Sequence, residues 1–379
     1  MAQKKLGMVI FNYANQSRIK NITHIIQRFY DLLNCEIHVV YIGDKICFDN
    51  QYIYGHYKSW RFAQHLPDFM FSFIVSLFSV YKLKKYNISV LINVNNSTYI
   101  VLIKLLSKIL HYKNLKIFCR VTGNLRSDKL FVHDNLIKDY VKKIKIVIYE
   151  YWEKLNYCNI DGVIAISEYI HKRLLRIGVN IEKIKVISTG VNTDKFSYSS
   201  TIQNNIINRI LFVGRIVESK GIRIALESFL EIYKIYDLEF DIFGDGIIYE
   251  ELKQIYKNYP INFNDNISYQ FIERIYSTNS ILLLPSYYEV LPNVILEAMS
   301  SGVPVIASSV GEIPRLIGND ERGILIDPYD KSTIIKAMDR MITDNKYRAK
   351  CRETARRYIV NNHGFEIVRK EYFKMFFPN

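Results

Sequence analysis

Residues 280–308 read SILLLPSYYEVLPNVILEAMSSGVPVIAS, and this stretch decides the fold. An apolar run at 280–286 leads through a short loop into a helical pattern from Pro292, and a second apolar run follows at 303–308. A strand, a helix and a strand in this order form the repeating unit of a parallel sheet wrapped by helices. The stretch therefore predicts an α/β fold, in which ligands bind beyond the carboxyl ends of the strands.

The same alternation runs along the 379 residues, which at about 150 residues per domain predict two domains. Strands are predicted at 6–11, 36–42, 88–94, 115–121, 161–167 and 183–189, then at 209–214, 238–244, 267–271, 280–286 and 303–308. The polar interval 196–209 marks a linker between a domain at 1–196 and a domain at 197–379. We expect two doubly wound Rossmann-like domains facing each other across a cleft, with the final helix (about 365–377) packing back on the first domain.

Basic residues are concentrated in the first half of the chain. Residues 1–195 hold 29 Lys and Arg against 14 Asp and Glu, a net charge of +15, whereas the remaining residues carry −1. Three lysines at 82, 84 and 85 end the near-apolar stretch 69–81, which is shorter than the roughly 18 to 20 residues that span a bilayer. An anionic membrane surface is the predicted partner of this half, and a soluble amphipathic helix with solvated lysines is the alternative.

Cysteine usage indicates the compartment. The five cysteines are scattered and include no CxxC pair, which favours a reducing, cytoplasmic setting. The start, MAQKKLGMVIF, reads as a first strand rather than as a signal peptide. With the basic first half, this predicts a cytoplasmic protein bound peripherally to the inner face of the membrane.

Two cations follow a strand in FVGRIVESKG (212–221). Gly214 lets the backbone turn tightly, and Arg215 and Lys220 place two positive charges where a diphosphate would bind. The alternative is an ordinary strand-to-helix loop with solvated cations, and this motif alone does not decide between the two.

Two glutamates flank a helix start in PSYYEVLPNVILEA (285–298). Pro292 is predicted at the first helical position, so the next backbone N–H groups are free and suited to phosphate. Glu297 shares a helix side with Asn293 and leans back toward the helix start, where it would accept hydrogen bonds from a ribose. Glu289 lies in the preceding loop and is expected to point into the same site. Solvated glutamates that complement the helix dipole are the alternative.

These stretches resemble a known family. The pattern PSYYEVLPNVILEAMSSGVPVIASSVGEIPRLI (285–317), preceded by FVGRIVESKG and by FGDG (243–246), is similar to the retaining GT-B glycosyltransferases of family 4. That group includes glycogen synthase-like enzymes and lipopolysaccharide or capsule sugar transferases, and its paired-glutamate motif matches Glu289 and Glu297. The resemblance covers the second half at specific positions and the first half only in architecture.

The resemblance implies a retaining, hexosyltransferase-type enzyme. It would move a sugar from a UDP- or GDP-sugar to a glycan or lipid-diphosphate-linked glycan, in the biosynthesis of a bacterial surface polysaccharide such as lipopolysaccharide, O-antigen or capsule. By position, Glu289 would contact the donor sugar and Glu297 the ribose, while Arg215 and Lys220 would neutralise the diphosphate. Further residues expected to line the donor site are Gly214, Asp245, Phe271, Val290, Leu291 and Asn293.

No Asp-x-Asp motif follows a strand, which agrees with stabilising the leaving group by cations and a helix start, without a metal or other cofactor. In the first half the sequence departs from the family's usual loops, and NYANQSRIKN (12–21) lacks the glycine pair often found there. Candidates for the acceptor or donor-sugar side of the site are Asn15, Gln16, Thr122, Gly123, Asn124 and His133. His133 has the chemistry of a base for an acceptor hydroxyl, although a lone histidine in a basic loop is more often solvated.

Two other functions compete with this reading. A non-hydrolysing nucleotide-sugar epimerase would share the two-domain fold, but it needs positioned acid and base groups, whereas these carboxylates are predicted at a ribose and a sugar edge. A nucleic-acid-binding protein would suit the isoelectric point near 9.3. However, the sequence contains no recognised nucleic-acid motif, and the charge avoids the half with the best-formed motif, so no nucleic acid is expected.

Overall fold

The computed structural model describes residues 5–9, 16–42, 50–58, 68–94, 100–123, 136–197, 207–264, 267, 271–277 and 280–378. They form two compact units. The N-terminal unit comprises Met1–Ser188 together with Arg369–Asn379, and the C-terminal unit comprises Thr189–Val368. Among the described residues, no helix combines the length and apolar character needed to cross a bilayer.

The N-terminal unit is built on a parallel sheet of seven strands in the order β3-β2-β1-β4-β5-β6-β7. Its strands are β1 (Lys5–Val9), β2 (Glu36–Ile42), β3 (Ile53–Lys58), β4 (Val90–Val94), β5 (Lys116–Val121), β6 (Gly162–Ala165) and β7 (Ile184–Val186). Its helices are α1 (Gln16–Leu33), α2 (Asp68–Lys85), α3 (Ile100–Ile109), α4 (Leu136–Cys158) and α5 (Glu168–Arg176). From β1 the chain adds β2 and β3 on one side of the sheet, and it then returns to add β4 on the other side of β1. The strand order therefore reverses between β1 and β4.

The C-terminal unit repeats this plan with six parallel strands in the order β10-β9-β8-β11-β12-β13. Its strands are β8 (Arg209–Val213), β9 (Glu239–Phe243), β10 (Ile261–Asn264), β11 (Ser280–Leu284), β12 (Val305–Ser308) and β13 (Ile324–Ile326). Its helices are α6 (Ile222–Tyr236), α7 (Tyr249–Ile255), α8 (Asn293–Ser300), α9 (Ile313–Ile317), α10 (Lys331–Thr343) and α11 (Asn345–His363). The strand order reverses between β8 and β11.

Burial explains why the central strands were easy to predict. All five residues of β11 are buried, as expected for a strand covered by helices on both faces. Helix starts follow local rules as well, since the side chain of Asp330 accepts the Ser332 N–H at α10, and that of Asp344 accepts the Tyr347 N–H at α11.

Three strands were not predicted, and all are short or polar. β3 (IYGHYK) contains a glycine and a lysine and lies at a sheet edge. A strand at the edge of a sheet is covered less completely by apolar side chains than a central strand. β10 and β13 have four and three residues, too few for a period to be recognised. Residues 267 and 271, the ends of the strand predicted at 267–271, are not in a strand, and residues 268–270 lie outside the described residues. β10 lies at one edge of the described sheet.

The C-terminal helix α12 (Phe365–Phe376) begins in the C-terminal unit and ends in the N-terminal one. Within the N-terminal unit, Nε of Arg369 donates to the Leu32 carbonyl at 2.7 Å, and the ring of Phe376 packs on Phe118 at 4.8 Å between centroids. The chain therefore contributes its last residues to the core of the unit with which it began.

Candidate active site

The candidate site lies in the C-terminal unit, at the carboxyl ends of β8 and β11. These neighbouring strands flank the point where the strand order reverses, which is where open α/β sheets bind ligands. Backbone contacts bring the loops together, because the Tyr287 N–H donates to the Ser219 carbonyl at 3.0 Å and the Glu312 N–H donates to the Val290 carbonyl at 3.0 Å. Residues far apart in sequence thus meet at one sheet edge.

Two glycines permit this close packing. Gly221 has φ +67°, and a Cβ there would lie 1.9 Å from the Pro285 carbonyl oxygen. Gly311 has φ +57°, and a Cβ there would lie 2.0 Å from the Glu289 carbonyl oxygen. Side chains at these positions would push the Glu289 loop away from its neighbours, so both glycines help to place Glu289.

Lys220 and Glu289, which the sequence predicted for the diphosphate and the donor sugar, form an ion pair. Nζ of Lys220 lies 2.5 Å from Oε1 of Glu289, and the Ser286 hydroxyl donates to the same oxygen at 3.0 Å. The two charged side chains are 18% and 10% exposed, so water screens their attraction less than that of a surface pair. The carboxylate therefore has a fixed position with one cation beside it.

Glu297 is held on α8, one turn inside the helix start. α8 begins at Asn293, with Pro292 as its N-cap, so the prediction of Pro292 at the first helical position was wrong by one residue. The backbone of Pro292 has ψ 116°, which is extended rather than helical. Glu297 is 3% exposed, and the Tyr276 hydroxyl donates to its Oε2 at 3.2 Å. Oδ1 of Asn293 is buried and has no hydrogen-bond partner within the described part of the chain.

Other predicted donor-site residues lie in the loops that follow β8, β9 and β11. Arg215 is exposed just beyond β8, and no hydrogen bond or ion pair to its guanidinium is found among the described residues. The Asp245 carbonyl accepts the Ile216 N–H at 2.6 Å, which joins the FGDG loop to the loop that carries Arg215. The side chains of Val290 and Leu291 are buried, so only their backbones are suited to meet a ligand.

Phe271 directly precedes the 3-10 helix Ile272–Ser277 and is 40% exposed. The guanidinium carbon of Arg274 lies 4.6 Å from its ring centroid, an arrangement typical of a cation–π contact. The described contacts of Phe271 do not include Glu289 or Glu297.

The sequence analysis missed two contributors, Tyr276 and Ser286. Ser286 lies three residues before Glu289 in the same loop. A hydroxyl so close in sequence to a candidate carboxylate could have predicted this hydrogen bond. Tyr276 lies in a 3-10 helix at Ile272–Ser277, and nothing in the local sequence links it to Glu297, 21 residues later.

The N-terminal candidates are less complete. Thr122 and Gly123 follow β5 and are half-buried, and Gln16 begins α1. Asn15, Asn124 and His133 lie outside the described residues. The structure therefore neither gathers these six residues into a site nor separates them.

The two Rossmann-like units define a two-domain α/β protein. Comparisons with known proteins give its family. Residues 23–195 match the family model described as Glycosyltransferase Family 4, and residues 202–358 match the model described as Glycosyl transferases group 1. Together the two models span most of both units. The chain belongs to the family 4 glycosyltransferases.

Curated relatives include proteins of polysaccharide biosynthesis. The chain is 31% identical over 229 residues to an uncharacterized 41.2 kDa protein in the cps region of Klebsiella pneumoniae, which covers 56% of this chain and 62% of that protein. It is 31% identical over 204 residues to an Escherichia coli UDP-Gal:alpha-D-GlcNAc-diphosphoundecaprenol alpha-1,3-galactosyltransferase, covering 50% and 52%. It is 24% identical over 272 residues to the Staphylococcus aureus capsular polysaccharide biosynthesis glycosyltransferase CapM, covering 66% and 70%.

Solved structures show the fold. Anabaena HepE in complex with UDP matches with a TM-score of 0.71 at 15% identity, covering 98% of each chain. WaaG, a glycosyltransferase involved in lipopolysaccharide biosynthesis, matches with a TM-score of 0.71 at 12% identity, covering 99% of this chain and all of that one. Both units therefore have the fold of GT-B glycosyltransferases, which confirms the predicted fold class.

Proposed function

We propose that this chain transfers a sugar from a UDP- or GDP-sugar to a glycan or lipid-diphosphate-linked glycan, with retention of configuration and without a metal. The observation that carries the proposal is the ion pair of Lys220 and Glu289 beside the start of α8, which also holds the buried Glu297. A cation, free helix N–H groups and two fixed carboxylates are the groups needed to bind a diphosphate, a sugar and a ribose.

The leaving group carries the developing charge in such a transfer. The bond between the anomeric carbon and the diphosphate oxygen breaks with its electron pair on the diphosphate. The acceptor oxygen bonds to the same face of the sugar, and its proton leaves on the departing phosphate oxygen. Arg215, Lys220 and the first N–H groups of α8 stabilise the diphosphate, which lowers the barrier because that charge grows in the transition state.

Glu289 has a role at the sugar under this proposal. Its carboxylate is anchored by Lys220 and Ser286 through one oxygen, Oε1, so Oε2 is suited to accept hydrogen bonds from sugar hydroxyls. Glu297 would accept hydrogen bonds from the ribose hydroxyls, which selects a nucleoside diphosphate over inorganic diphosphate.

The activity is tested by incubating the protein with UDP- and GDP-sugars and a lipid-diphosphate-linked glycan, with and without EDTA. We expect a glycosylated acceptor whose anomeric configuration, read by NMR coupling constants, equals that of the donor, at an unchanged rate in EDTA. An inverted product would contradict retention, and loss of activity in EDTA would contradict metal independence. Conversion of the nucleotide sugar to its epimer without an acceptor would favour the epimerase instead.

The relatives support the choice of acceptor and pathway. One relative acts on a diphosphoundecaprenol-linked sugar, and another belongs to capsular polysaccharide biosynthesis. We propose the same class of acceptor and a role in bacterial surface polysaccharide biosynthesis for this chain, in the cytoplasm at the inner face of the membrane.

Peripheral binding to an anionic membrane is part of this proposal, and the surface of α2 and α3 supports it. The two helices pack against each other. Five of their apolar side chains are 43–60% exposed, which we call the α2–α3 surface: Phe73, Leu77, Tyr81, Leu105 and Ile109. The exposed Lys84, Lys85 and Lys108 lie three or four residues from members of this surface on the same helices. Apolar side chains beside cations suit a membrane rich in anionic lipid, and they disfavour a dimer that would bring lysines against lysines.

Flotation with anionic vesicles tests this surface. Wild-type protein should float with phosphatidylglycerol vesicles at low salt and less at high salt, and Leu77→Glu with Leu105→Glu should abolish flotation. Ile235→Glu is the matched control, since Ile235 is 69% exposed on the C-terminal unit. Wild-type protein that stays in the soluble fraction at both salt concentrations would refute membrane binding, and flotation of the double variant would refute the assignment to this surface.

A further inference from the structure

Tyr276 is placed to control the orientation of Glu297. We propose that Tyr276 is a positioning residue for the donor nucleotide, which acts by fixing the Glu297 carboxylate and does not touch the ligand. The inference rests on the proposed donor site, and it adds to that site a residue that none of the sequence motifs contains.

The contact is direct and shielded from water. The Tyr276 hydroxyl donates to Oε2 of Glu297 at 3.2 Å. Tyr276 is fully buried and Glu297 is 3% exposed, so water does not compete for this hydrogen bond. A glutamate side chain has several rotamers within a helix, and a buried donor on one side favours the rotamer that reaches it. The hydroxyl therefore selects one position of the carboxylate.

Tyr276 is itself fixed by a buried aromatic contact. Its ring meets the ring of Phe196 edge-on, with centroids 5.8 Å apart and an interplanar angle of 67°. Phe196 is fully buried, and its carbonyl accepts hydrogen bonds from the Ser300 hydroxyl at 2.8 Å and from Nη1 of Arg356 at 2.9 Å. The ring that supports Tyr276 is thus tied to α8 and to α11.

Arg356 anchors the same helix that carries Glu297. Its Nη1 also donates to the Ser300 carbonyl at 2.7 Å, and its Nη2 donates to the Thr193 carbonyl at 3.0 Å. Burial lowers the pKa of Arg356, as expected for a cation that exchanges water for carbonyl groups. Ser300 is the last residue of α8, one turn after Glu297, so this network fixes the helix end while Tyr276 fixes the carboxylate.

A tyrosine that only fills the core would give a different result from one that positions Glu297. Tyr276→Phe keeps the ring and removes only the hydroxyl, so the contact with Phe196 is retained. We expect UDP or GDP, whichever binds the wild type, to bind about fivefold to tenfold more weakly, because a hydrogen bond to a charged group is lost. The KM for the donor should rise by a similar factor, with kcat within about twofold, since the ribose contact is equal in the ground and transition states.

A double-mutant cycle provides the decisive readout. In the Glu297→Ala background, Tyr276→Phe should have no further effect on the Kd of the same nucleoside diphosphate, because its only route to the ligand is gone. A purely structural tyrosine would weaken binding equally in both backgrounds. Equal factors in the two backgrounds, or an unchanged Kd in the single variant, would overturn the inference.

Tyr347→Phe is the matched control. Tyr347 donates its hydroxyl to the Asp320 carbonyl at 2.7 Å and to the Gly323 carbonyl at 3.0 Å, so this variant loses a hydrogen-bonded hydroxyl from a half-buried tyrosine in the same unit. Its Kd should equal that of the wild type, even if its melting temperature falls. Absence of UDP or GDP binding by the wild-type protein itself would refute the proposed function rather than the role of Tyr276.

Discussion

The two units share one plan and differ in what their surfaces present. Each has a parallel sheet whose strand order reverses at one point, between β1 and β4 in one unit and between β8 and β11 in the other. At the second point, charged side chains are buried and fixed by partners, as Glu289 is by Lys220 and Ser286. The N-terminal unit instead carries the excess positive charge and the exposed apolar α2–α3 surface.

Under the proposals above, the same fold would support two kinds of recognition. Fixed, partly dehydrated groups suit a small, highly charged ligand that must be oriented for chemistry. A wide surface of apolar and basic side chains suits a large partner that needs no exact register, such as a membrane.

Removal of Glu289 should have the largest effect. Glu289→Ala is expected to lower kcat about 10²- to 10³-fold while changing the Kd of UDP or GDP less than about threefold, because its role is at the sugar. Steady-state kinetics and calorimetry measure the two quantities. Glu353→Ala, at a glutamate whose side chain is 71% exposed, is the control. A variant at Glu289 with wild-type kcat would contradict the assignment of catalysis to the C-terminal unit.

Removal of Lys220 should affect both binding and stability. Lys220→Ala takes a charge from the diphosphate site and leaves Glu289 partly buried without its cation. We expect donor binding to weaken about 10- to 100-fold and the free energy of unfolding to fall by about 1–3 kcal/mol. Lys331→Ala breaks the exposed pair with Glu231, whose side chains are 41% and 55% exposed, and should cost less than about 1 kcal/mol. If urea unfolding showed the same loss in the free energy of unfolding for both variants, the Lys220–Glu289 pair would be no more stabilising than a surface pair.

The sequence alone pointed to specific residues in the C-terminal unit and to less specific ones in the N-terminal unit, and the roles of both sets stay predictions. Glu289, Lys220 and Glu297 are recognisable because strand ends and a helix start fix their positions locally. Tyr276 was missed because its contact with Glu297 exists only after the chain has folded. β3 was missed because an edge strand does not need an apolar run. Asn15, Asn124 and His133 lie outside the described residues, so their predicted roles remain predictions.

Acid should destabilise both units through buried histidines. Burial lowers the pKa of His56 to about 4 in the N-terminal unit and that of His363 to about 4 in the C-terminal unit. An unfolded histidine binds its proton near pH 6.5, so this stability is complete above about pH 6.5 and is lost as the pH falls toward 4. We expect a loss of about 1–3 kcal/mol from each histidine by urea unfolding between pH 7 and 4.5. His363→Gln should remove its share of that loss, and an unchanged pH slope would contradict the assignment.

Substitution in the N-terminal candidate loop should have the smallest effect on the fold. A Cβ at Gly123 would meet no atom of the described residues within 4 Å, so Gly123→Ala should change the free energy of unfolding by less than about 0.5 kcal/mol. The Kd of UDP or GDP should stay at the wild-type value, while the KM for the acceptor should rise about threefold. Weakened nucleotide binding in this variant would contradict the assignment of nucleotide binding to the C-terminal unit alone.

Glu297 on α8 is proposed to receive the ribose of a nucleoside diphosphate. Isothermal titration of UDP and of GDP into the wild-type protein and Glu297→Ala tests it most directly. We predict that one of the two nucleotides binds the wild type with a micromolar Kd and binds the variant at least about tenfold more weakly, as expected when hydrogen bonds to a charged group are lost. Equal affinity in both proteins, or no binding of either nucleotide to the wild type, would contradict the account.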